Sequence, residues 1–599
     1  MPSAPDARPG LGARIAIGRG PTRRLRSLIR GSEPWLVLLA VAVGVAAGLA
    51  VALIGTISDH LHRLAFGLAK GQRLSGVGHL AQGYWVPAAG GLLLGLLQWL
   101  RARRRSAPAV DPVEANALHG GRMSLRDSLW VTFQTLLSNG CGASVGLEAG
   151  YAQMGSSLAS WLGSRLRLRR NDLRMLVGCG AGGAIGAAFG APLTGAFYAF
   201  ELIIGVYSIG NVAPVLAASL CGVLTARAVR AVTYNISLAP AAPSSLADFM
   251  VMMVLGVLCA GLGIAIMRGV YLVERLFDFS RLPRFLRPAV GGAGLGGLAL
   301  ITPQVLSAGH GGLRLDIPAE LSIGVLVSLV LLKVAASTLS LGAGFRGGLF
   351  FASLFLGALA GKLFAAVLGL LMPSLAVDPS ICVLVGMGTL AVAVVGGPLT
   401  MSFLVLETTG DFSVTMVVIA ASIVASVVVR ETFGYSFSTW RLHLRGETIR
   451  GATDVGWARA LTVGRMMRRG PPTIEGHTPL DVFRRRYPLG SASKVVVIDD
   501  AGRYLGMALT ADAFASGEEP EADARRTAAD LARWPGDPLT PEMNIKQAMA
   551  VFDRTESEAL AVVDDLTQRQ VIGLLGEGFA LRRYAEELDK ARQGLTGGT

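Results

Sequence analysis

Between residues 34 and 430 apolar stretches of membrane-spanning length recur, and four of them, 35–56, 251–267, 319–339 and 414–429, carry almost no charge. A water-soluble helix of that length would keep one polar face, and these do not. Since about 20 apolar residues cross the hydrocarbon of a bilayer, the expected fold class is an all-α polytopic membrane protein. Composition agrees, with 52% of the 599 residues hydrophobic and 16% charged.

The formal charge of +14 would suit nucleic acid, but the cations sit in "RRLRSLIR" (23–30), "RARRR" (101–105) and "RLRLRRNDLR" (165–174), beside the apolar runs. Lys and Arg placed there set topology by staying cytoplasmic, so nucleic acid is not an expected partner. Residues 1–33 are read as a basic cytoplasmic segment. The first apolar run is too long for a signal peptide and lacks a small-residue cleavage site. Cys141, Cys179, Cys221, Cys259 and Cys382 lie in apolar or glycine-rich stretches without a CxxC pair or nearby histidines. Neither a disulfide framework nor a metal site is expected, and no enzymatic catalytic residues are expected.

Two apolar runs are broken in the middle by Gly and Pro, and they resemble each other. Gly190, Pro192, Leu193, Thr194, Phe197 and Glu201 recur as Gly396, Pro398, Leu399, Thr400, Phe403 and Glu407, an offset of 407 − 201 = 206. Upstream, Gly140, Gly142, Gly146 and Leu147 recur as Gly342, Gly344, Gly348 and Leu349, with 342 − 140 = 202. The membrane region, 34–444, is therefore a duplication. Interrupted helices in matching places of two halves point to a central ion site built from helix ends. The pattern alone leaves parallel and inverted repeats open; the inverted arrangement is the expectation.

Beyond residue 445 charge rises and apolar runs shorten. "SKVVVIDDAGRYLGMALTADAF" (493–514) reads strand, turn, strand, helix, and "EALAVVDDLTQRQVIGLLGEGFALRRYAEEL" (558–588) repeats the order. Two small α/β modules are expected over 458–590, at about 458–515 and 536–590, with linkers at 445–457 and 516–540. GxGxxG matches at Gly178, Gly180, Gly183 and at Gly292, Gly294, Gly297 neither follow a strand nor open a βαβ unit, so close helix packing is expected there instead of dinucleotide binding.

One carboxylate stands out. Glu148 lies among glycines in "SNGCGASVGLEAG", where a charge is costly unless it has a task. A glycine-flanked segment that opens a helix leaves backbone N–H groups open and turns the positive end of the helix dipole toward an anion. "ASVGLEAG" and "FRGGLFFAS" each offer such an end, and the duplication can aim both at one point. Glu148 would take the anion's place when deprotonated and leave it when protonated. The competing reading is local satisfaction of N–H groups at a helix start.

These residues carry a resemblance. "GLEAG" resembles the GREGP-type segment of the CLC chloride channels and proton/chloride exchangers. "GGLFFA" resembles their GxFxP segment, and "GAPLTGAFYAFEL" and "GGPLTMSFLVLETTGD" their two APL-containing segments, in the same order. The likeness covers roughly 34–444, and paired CBS modules at about 458–590 are found on many family members. The resemblance implies that Glu148 is the gating glutamate and that N–H groups near Leu147, Glu148, Leu349 and Phe350 line the anion path. It also implies that the Tyr435 hydroxyl contacts the central anion. A homodimer follows too, each subunit holding its own pathway for chloride or another small inorganic anion, with protons as a coupled partner. The protein would sit in the cell inner membrane, N-terminus and tail cytoplasmic.

The departures are specific. By register on Pro112, the serine of the family's GSGIP segment is Ala109, so a hydroxyl ligand is lost. Leu147 replaces an Arg, Gly150 a Pro and Ala352 the proline of GxFxP, none of which removes a backbone donor. Where the exchangers end the first APL segment with two glutamates, the second an internal proton site, Glu201 is followed by Leu202. That favours a channel or loosely coupled transporter and keeps an exchanger open. Glu201 and Glu407 are expected to bond exposed backbone in the broken helices. Lys333 is expected to snorkel or pair with a carboxylate, with anion attraction as the lesser use.

In the tail, Gly506, Thr510 and Asp512 form the G-x-x-x-T-x-D arrangement by which CBS modules hold an adenosine ribose. An adenine nucleotide and a ligand-free dimerisation module are both open readings. Two other classes fit less well: a CBS-bearing divalent-cation transporter, for which the membrane carboxylates are too few, and a membrane-anchored nucleotide sensor, which leaves the duplication without a purpose.

Overall fold

The computed structural model describes residues 33–80, 82–103, 109–229, 246–373, 377–444, 461–515 and 526–596. The basic run 23–30, the end of "RARRR", the linker 445–457 and most of the first half of the linker 516–540 lie outside the described residues. The chain divides into two compact units, a helical one and a smaller one carrying strands.

In the helical unit, α1 (Glu33–Phe66) and α2 (Val86–Ala102) precede the short α3 (Pro112–Leu118). Then come α4 (Leu125–Gly140), α5 (Glu148–Arg165), α6 (Arg170–Phe189), α7 (Pro192–Tyr198) and α8 (Ile209–Ala228). α7 widens into a π-helical turn over Ala199–Ile204. α9 (Leu246–Phe279), α10 (Arg287–Ile301) and the short α11 (His310–Asp316) lead to α12 (Ile323–Gly342), α13 (Phe350–Leu371), α14 (Pro379–Val395), α15 (Pro398–Thr409), α16 (Phe412–Thr432) and α17 (Phe437–Leu444). Among the described residues six helices are long and apolar enough to cross a membrane.

The breaks expected from Gly and Pro are real helix boundaries. Pro192 and Pro398 each occupy the first turn of a helix, where their missing N–H costs nothing. Gly142 and Gly344, 202 residues apart, both turn the chain at positive φ, +87° and +103°, a conformation a side chain would resist. Each lets the segment after it run extended into the next helix.

The halves touch reciprocally, as a local two-fold axis requires. An added Cβ on Gly91 would lie 2.1 Å from the Pro288 carbonyl oxygen, and one on Gly292 would lie 2.1 Å from that of Pro87. Here the offset is 288 − 87 = 201, and "PAAGG" and "PAVGG" carry it in the sequence. Within each half glycine again sets the spacing, with Gly155 against the Gly180 backbone and Gly357 against that of Gly386, both at 2.2 Å from a built Cβ. Such contacts between small residues let helix backbones approach in a bilayer. The glycines of both GxGxxG matches lie inside α6 and α10, with no strand before them.

The smaller unit holds two three-stranded sheets. In one, β2 (Thr473–Glu475) pairs parallel with β3 (Lys494–Ile498), which pairs antiparallel with β4 (Tyr504–Leu509); α18 (Thr510–Phe514) follows. In the other, β1 (Arg468–Arg469) and β5 (Ala559–Val563) flank β6 (Val571–Gly576), both antiparallel to it, and α19 (Glu577–Thr596) follows. The strand, turn, strand, helix order read from 493–514 and 558–588 is present in both. Consecutive residues are buried, Val495, Val496 and Val497 and, in the second sheet, Leu560, Ala561, Val562 and Val563, so both faces of these strands are covered.

Candidate functional site

Four helices of the helical unit start in the middle of the duplicated fold, and none has a side-chain cap from its own N-cap residue: α5, α7, α13 and α15. Each start leaves N–H groups without an intrahelical partner. Two are satisfied by fixed carboxylates from the opposite half. Glu201 accepts from the Leu399 N–H at 3.0 Å, the Thr400 N–H at 2.8 Å and the Thr400 hydroxyl at 2.6 Å. Glu407 does the same for α7, accepting from the Leu193 N–H at 2.7 Å, the Thr194 N–H at 2.8 Å and the Thr194 hydroxyl at 2.7 Å. The structural task expected of these acids is what they perform. Phe197 and Phe403 stack between them, ring centroids 4.2 Å apart.

The other two starts, of α5 and α13, face each other. The segments leading into them pair back to back: the Gly146 N–H donates to the Gly348 carbonyl at 2.8 Å and the Gly348 N–H to the Gly146 carbonyl at 3.1 Å. Their flanks exchange serine contacts, the Ser340 hydroxyl accepting from the Ser144 N–H at 2.9 Å and the Ser138 hydroxyl from the Arg346 N–H at 3.0 Å. The two starts are thereby locked in register.

Glu148 is the first residue of α5 and is 4% exposed. Its carboxylate is engaged by its own backbone N–H and by that of Phe351, in the first turn of α13. One acid thus spans both helix starts. Its Oε2 is buried with no hydrogen-bond partner among the described residues. Glycine at 146 makes this seat, because a Cβ there would stand 1.8 Å from Oε2.

Glu148 lines a cavity of about 160 Å³ together with Ala109, Leu349, Phe350, Tyr198 and Arg346. Leu147 faces a second cavity of about 90 Å³, whose wall includes His62, Arg73, Tyr151 and His310. Adjacent residues 147 and 148 therefore separate two hollows. A broader one of about 540 Å³ shares Ala109, Arg346 and Arg441 with the first and adds Arg101, Arg284 and Arg287.

Of the residues expected at the anion path, Glu148, Ala109, Leu349 and Phe350 are brought to one cavity and Leu147 borders the next. Tyr435 is set apart. It lines neither cavity; its ring stacks on His443 with centroids 4.6 Å apart, and its hydroxyl is 3.3 Å from His443 Nδ1. Tyr435 lies between the Gly434 turn at φ +86° and the start of α17 at Phe437, and His443 belongs to that helix. Lys333 neither snorkels nor pairs with a carboxylate: 1% exposed, its ammonium donates to the carbonyls of Val305 at 3.0 Å, Ser307 at 2.7 Å and Gln304 at 3.4 Å. Leu202 faces Gly396, its Cδ2 3.4 Å from where a Cβ on that glycine would stand.

In the smaller unit Gly506 lies against Ala532 and the Arg533 carbonyl. The Thr510 hydroxyl donates to the Ala492 carbonyl at 2.5 Å and Asp512 pairs with Arg533 at 2.7 Å. Both groups expected to bracket a ribose have protein partners.

Sequence reasoning missed Tyr198 and Arg346 as cavity residues and the His62, Arg73 and His310 wall. Arg346 and Tyr198 fall inside the motif stretches, and that is the signal the sequence carries for them. The wall is assembled from distant segments, and no local pattern marks it.

A duplicated bundle of apolar helices that turns two open helix starts onto one buried carboxylate belongs to the class of membrane anion-transport proteins. The family described as voltage gated chloride channel matches residues 90–430, and the chain belongs to it. A putative chloride channel protein ClcB-like from Ralstonia nicotianae is 30% identical over 360 residues, 58% of this chain and 82% of that protein. The voltage-gated ClC-type chloride channel ClcB of Escherichia coli O9:H4 is 27% identical over 405 residues, 66% of this chain and 95% of its own length. Among solved structures, a slow cyanobacterial Cl⁻/H⁺ antiporter aligns with a TM-score of 0.60 at 24% identity, over 68% of this chain and 97% of that one. A eukaryotic CLC transporter aligns at 0.55 and 18% identity over 92% of this chain and 98% of that one. These two likenesses concern the fold.

Proposed function

We propose that the protein passes chloride or a related small inorganic anion across the bilayer and that Glu148 is the gate. The observation that carries this reading is the seat of Glu148. Its carboxylate takes N–H groups from two facing helix starts, whereas the equivalent acids of the other two starts are held by three hydrogen bonds each. An anion entering the cavity beside Ala109 and Leu349 competes with the ionised side chain for the same donors. Protonation removes that competition, and the anion passes.

Direction follows from α1. With its start cytoplasmic, a rise of about 1.5 Å per residue carries His62 to the far side, so the cavity behind Leu147 opens outward. The cavity beside Ala109 and Arg441 opens inward. Residues 1–33 and the tail are proposed to be cytoplasmic, supported by the basic runs beside the apolar segments, and the cell inner membrane is the proposed location. The proposed assembly is a homodimer in which each subunit holds its own pathway.

Leu202 offers no proton site behind Glu201, and the reading is therefore a channel or a loosely coupled transporter. For the tail, paired CBS modules adjusting activity are proposed, supported by the strand and helix order of both halves and by the fold likeness that extends over 92% of the chain. Flux of chloride, nitrate, fluoride and protons from vesicles containing the purified protein tests the reading. Anion flux with less than stoichiometric proton movement supports it; no anion flux ends it.

A further inference from the structure

We propose that the Tyr198 hydroxyl is the side-chain ligand of the anion in the inner cavity and helps set which anion is accepted, an inference that rests on the anion-transport reading above. An anion leaving water for a cavity of about 160 Å³ has to recover hydrogen bonds from the walls. Most polar groups there are committed. The Thr135 hydroxyl donates to the Val131 carbonyl at 3.0 Å. Gln153 Nε2 donates to the Val110 carbonyl and the Ser128 hydroxyl, both at 2.9 Å. Asp111 accepts from the Val113 N–H at 2.8 Å and repels anions in any case. Ala109 brings a methyl group, Ser438 is exposed, the Arg441 guanidinium lies 5.9 Å from the Phe437 ring centroid, and Arg346 adds positive charge that draws an anion in without the fixed direction of a hydroxyl.

Tyr198 differs. Among the described residues its hydroxyl has no hydrogen-bond partner, while the side chain lies within electrostatic reach of Glu148 and Asp111. Its ring centroid is 6.2 Å from that of Phe350, the first residue of α13. A phenol there presents its donor to the same space as the open N–H groups of that helix.

The local backbone sets this residue apart from its repeat partner. Tyr198 is the last residue of α7 before the π-helical turn, a feature that redirects side chains and is frequent at functional sites. In the other half the matching position, 198 + 206, is Leu404, which is 1% exposed in an α-helix without such a turn. The hydroxyl comes from one half alone, so the two-fold arrangement gives way at the site.

The test compares wild type, Tyr198→Phe and Tyr435→Phe as the purified full chain, by calorimetric titration with chloride and by chloride and nitrate flux from vesicles. Losing one hydrogen bond to a charged group weakens binding about tenfold or more. The expected result is that loss in Tyr198→Phe with an altered chloride-to-nitrate ratio, and values within about twofold of wild type in Tyr435→Phe. Unchanged binding and selectivity in Tyr198→Phe overturn the inference. As a check that needs no variant, bromide soaked into wild-type crystals should give anomalous density within hydrogen-bond reach of Tyr198 Oη; density beside Tyr435 alone also overturns it. Wild type that neither binds nor passes any anion is a different failure, that of the transport reading itself.

Discussion

Glu201 and Glu407 cap each other's helices: each closes the repeat to which it belongs by holding the first turn of α15 or α7 in the other. The six hydrogen bonds run from 2.6 to 3.0 Å and repeat at a constant offset. Two of the four central helix starts are thus permanently neutralised, and the remaining two are left for Glu148 and its competitor.

Glu407→Ala strips three donors of their acceptor at once, and Glu201→Ala does so in the mirror position. Each should cost about 3 kcal/mol or more, since buried donors left bare cost roughly 1–3 kcal/mol apiece. The expected outcome is a lowered melting temperature of similar size in both, by thermal unfolding in detergent. Any folded fraction should keep its chloride-to-nitrate preference.

Gly146→Ala and Gly348→Ala separate the seat of the carboxylate from the pairing of the segments. A methyl at 146 would collide with Glu148 Oε2 at 1.8 Å, whereas at 348 the nearest atoms are 3.5 Å away. Gly146→Ala should expel the carboxylate and raise chloride efflux severalfold. Gly348→Ala should stay near wild type in the same assay.

Lys333→Met addresses the buried ammonium. The lysine ties three carbonyls between Gln304 and Ser307, so its removal should destabilise the fold by about 2–4 kcal/mol and leave anion selectivity as it was. A selectivity change without destabilisation would give the lysine to the anion path instead.

In the tail, Thr510 and Asp512 are bonded to Ala492 and Arg533. Adenine nucleotides should accordingly leave the melting temperature of the full chain unmoved. A saturable rise with ATP, abolished in Asp512→Asn, would mean that the carboxylate exchanges Arg533 for a ribose.

The sequence carries the architecture wherever one residue type is forced. Proline at 192 and 398, glycine at 142 and 344 and the offsets of 202 and 206 each leave a mark that a single chain displays, and the two-fold contacts follow from them. "PAAGG" and "PAVGG" left the same mark and would have extended the duplication back to α2. Side-chain aim is another matter. Tyr435, expected at the anion, stacks on His443, and Tyr198 lines the cavity just before a π-helical turn that no local composition announces. Lys333 looked like a snorkelling or paired cation because its three carbonyl partners lie 26 to 29 residues away.

The central claim is that Glu148 holds the place of the anion between α5 and α13. Its most direct test is Glu148→Gln beside wild type in vesicles, with chloride efflux and proton uptake followed together. The uncharged side chain no longer competes as an anion, so chloride flux should persist or rise while any proton movement coupled to it disappears. Proton movement that stays at the wild-type level in Glu148→Gln would contradict the account.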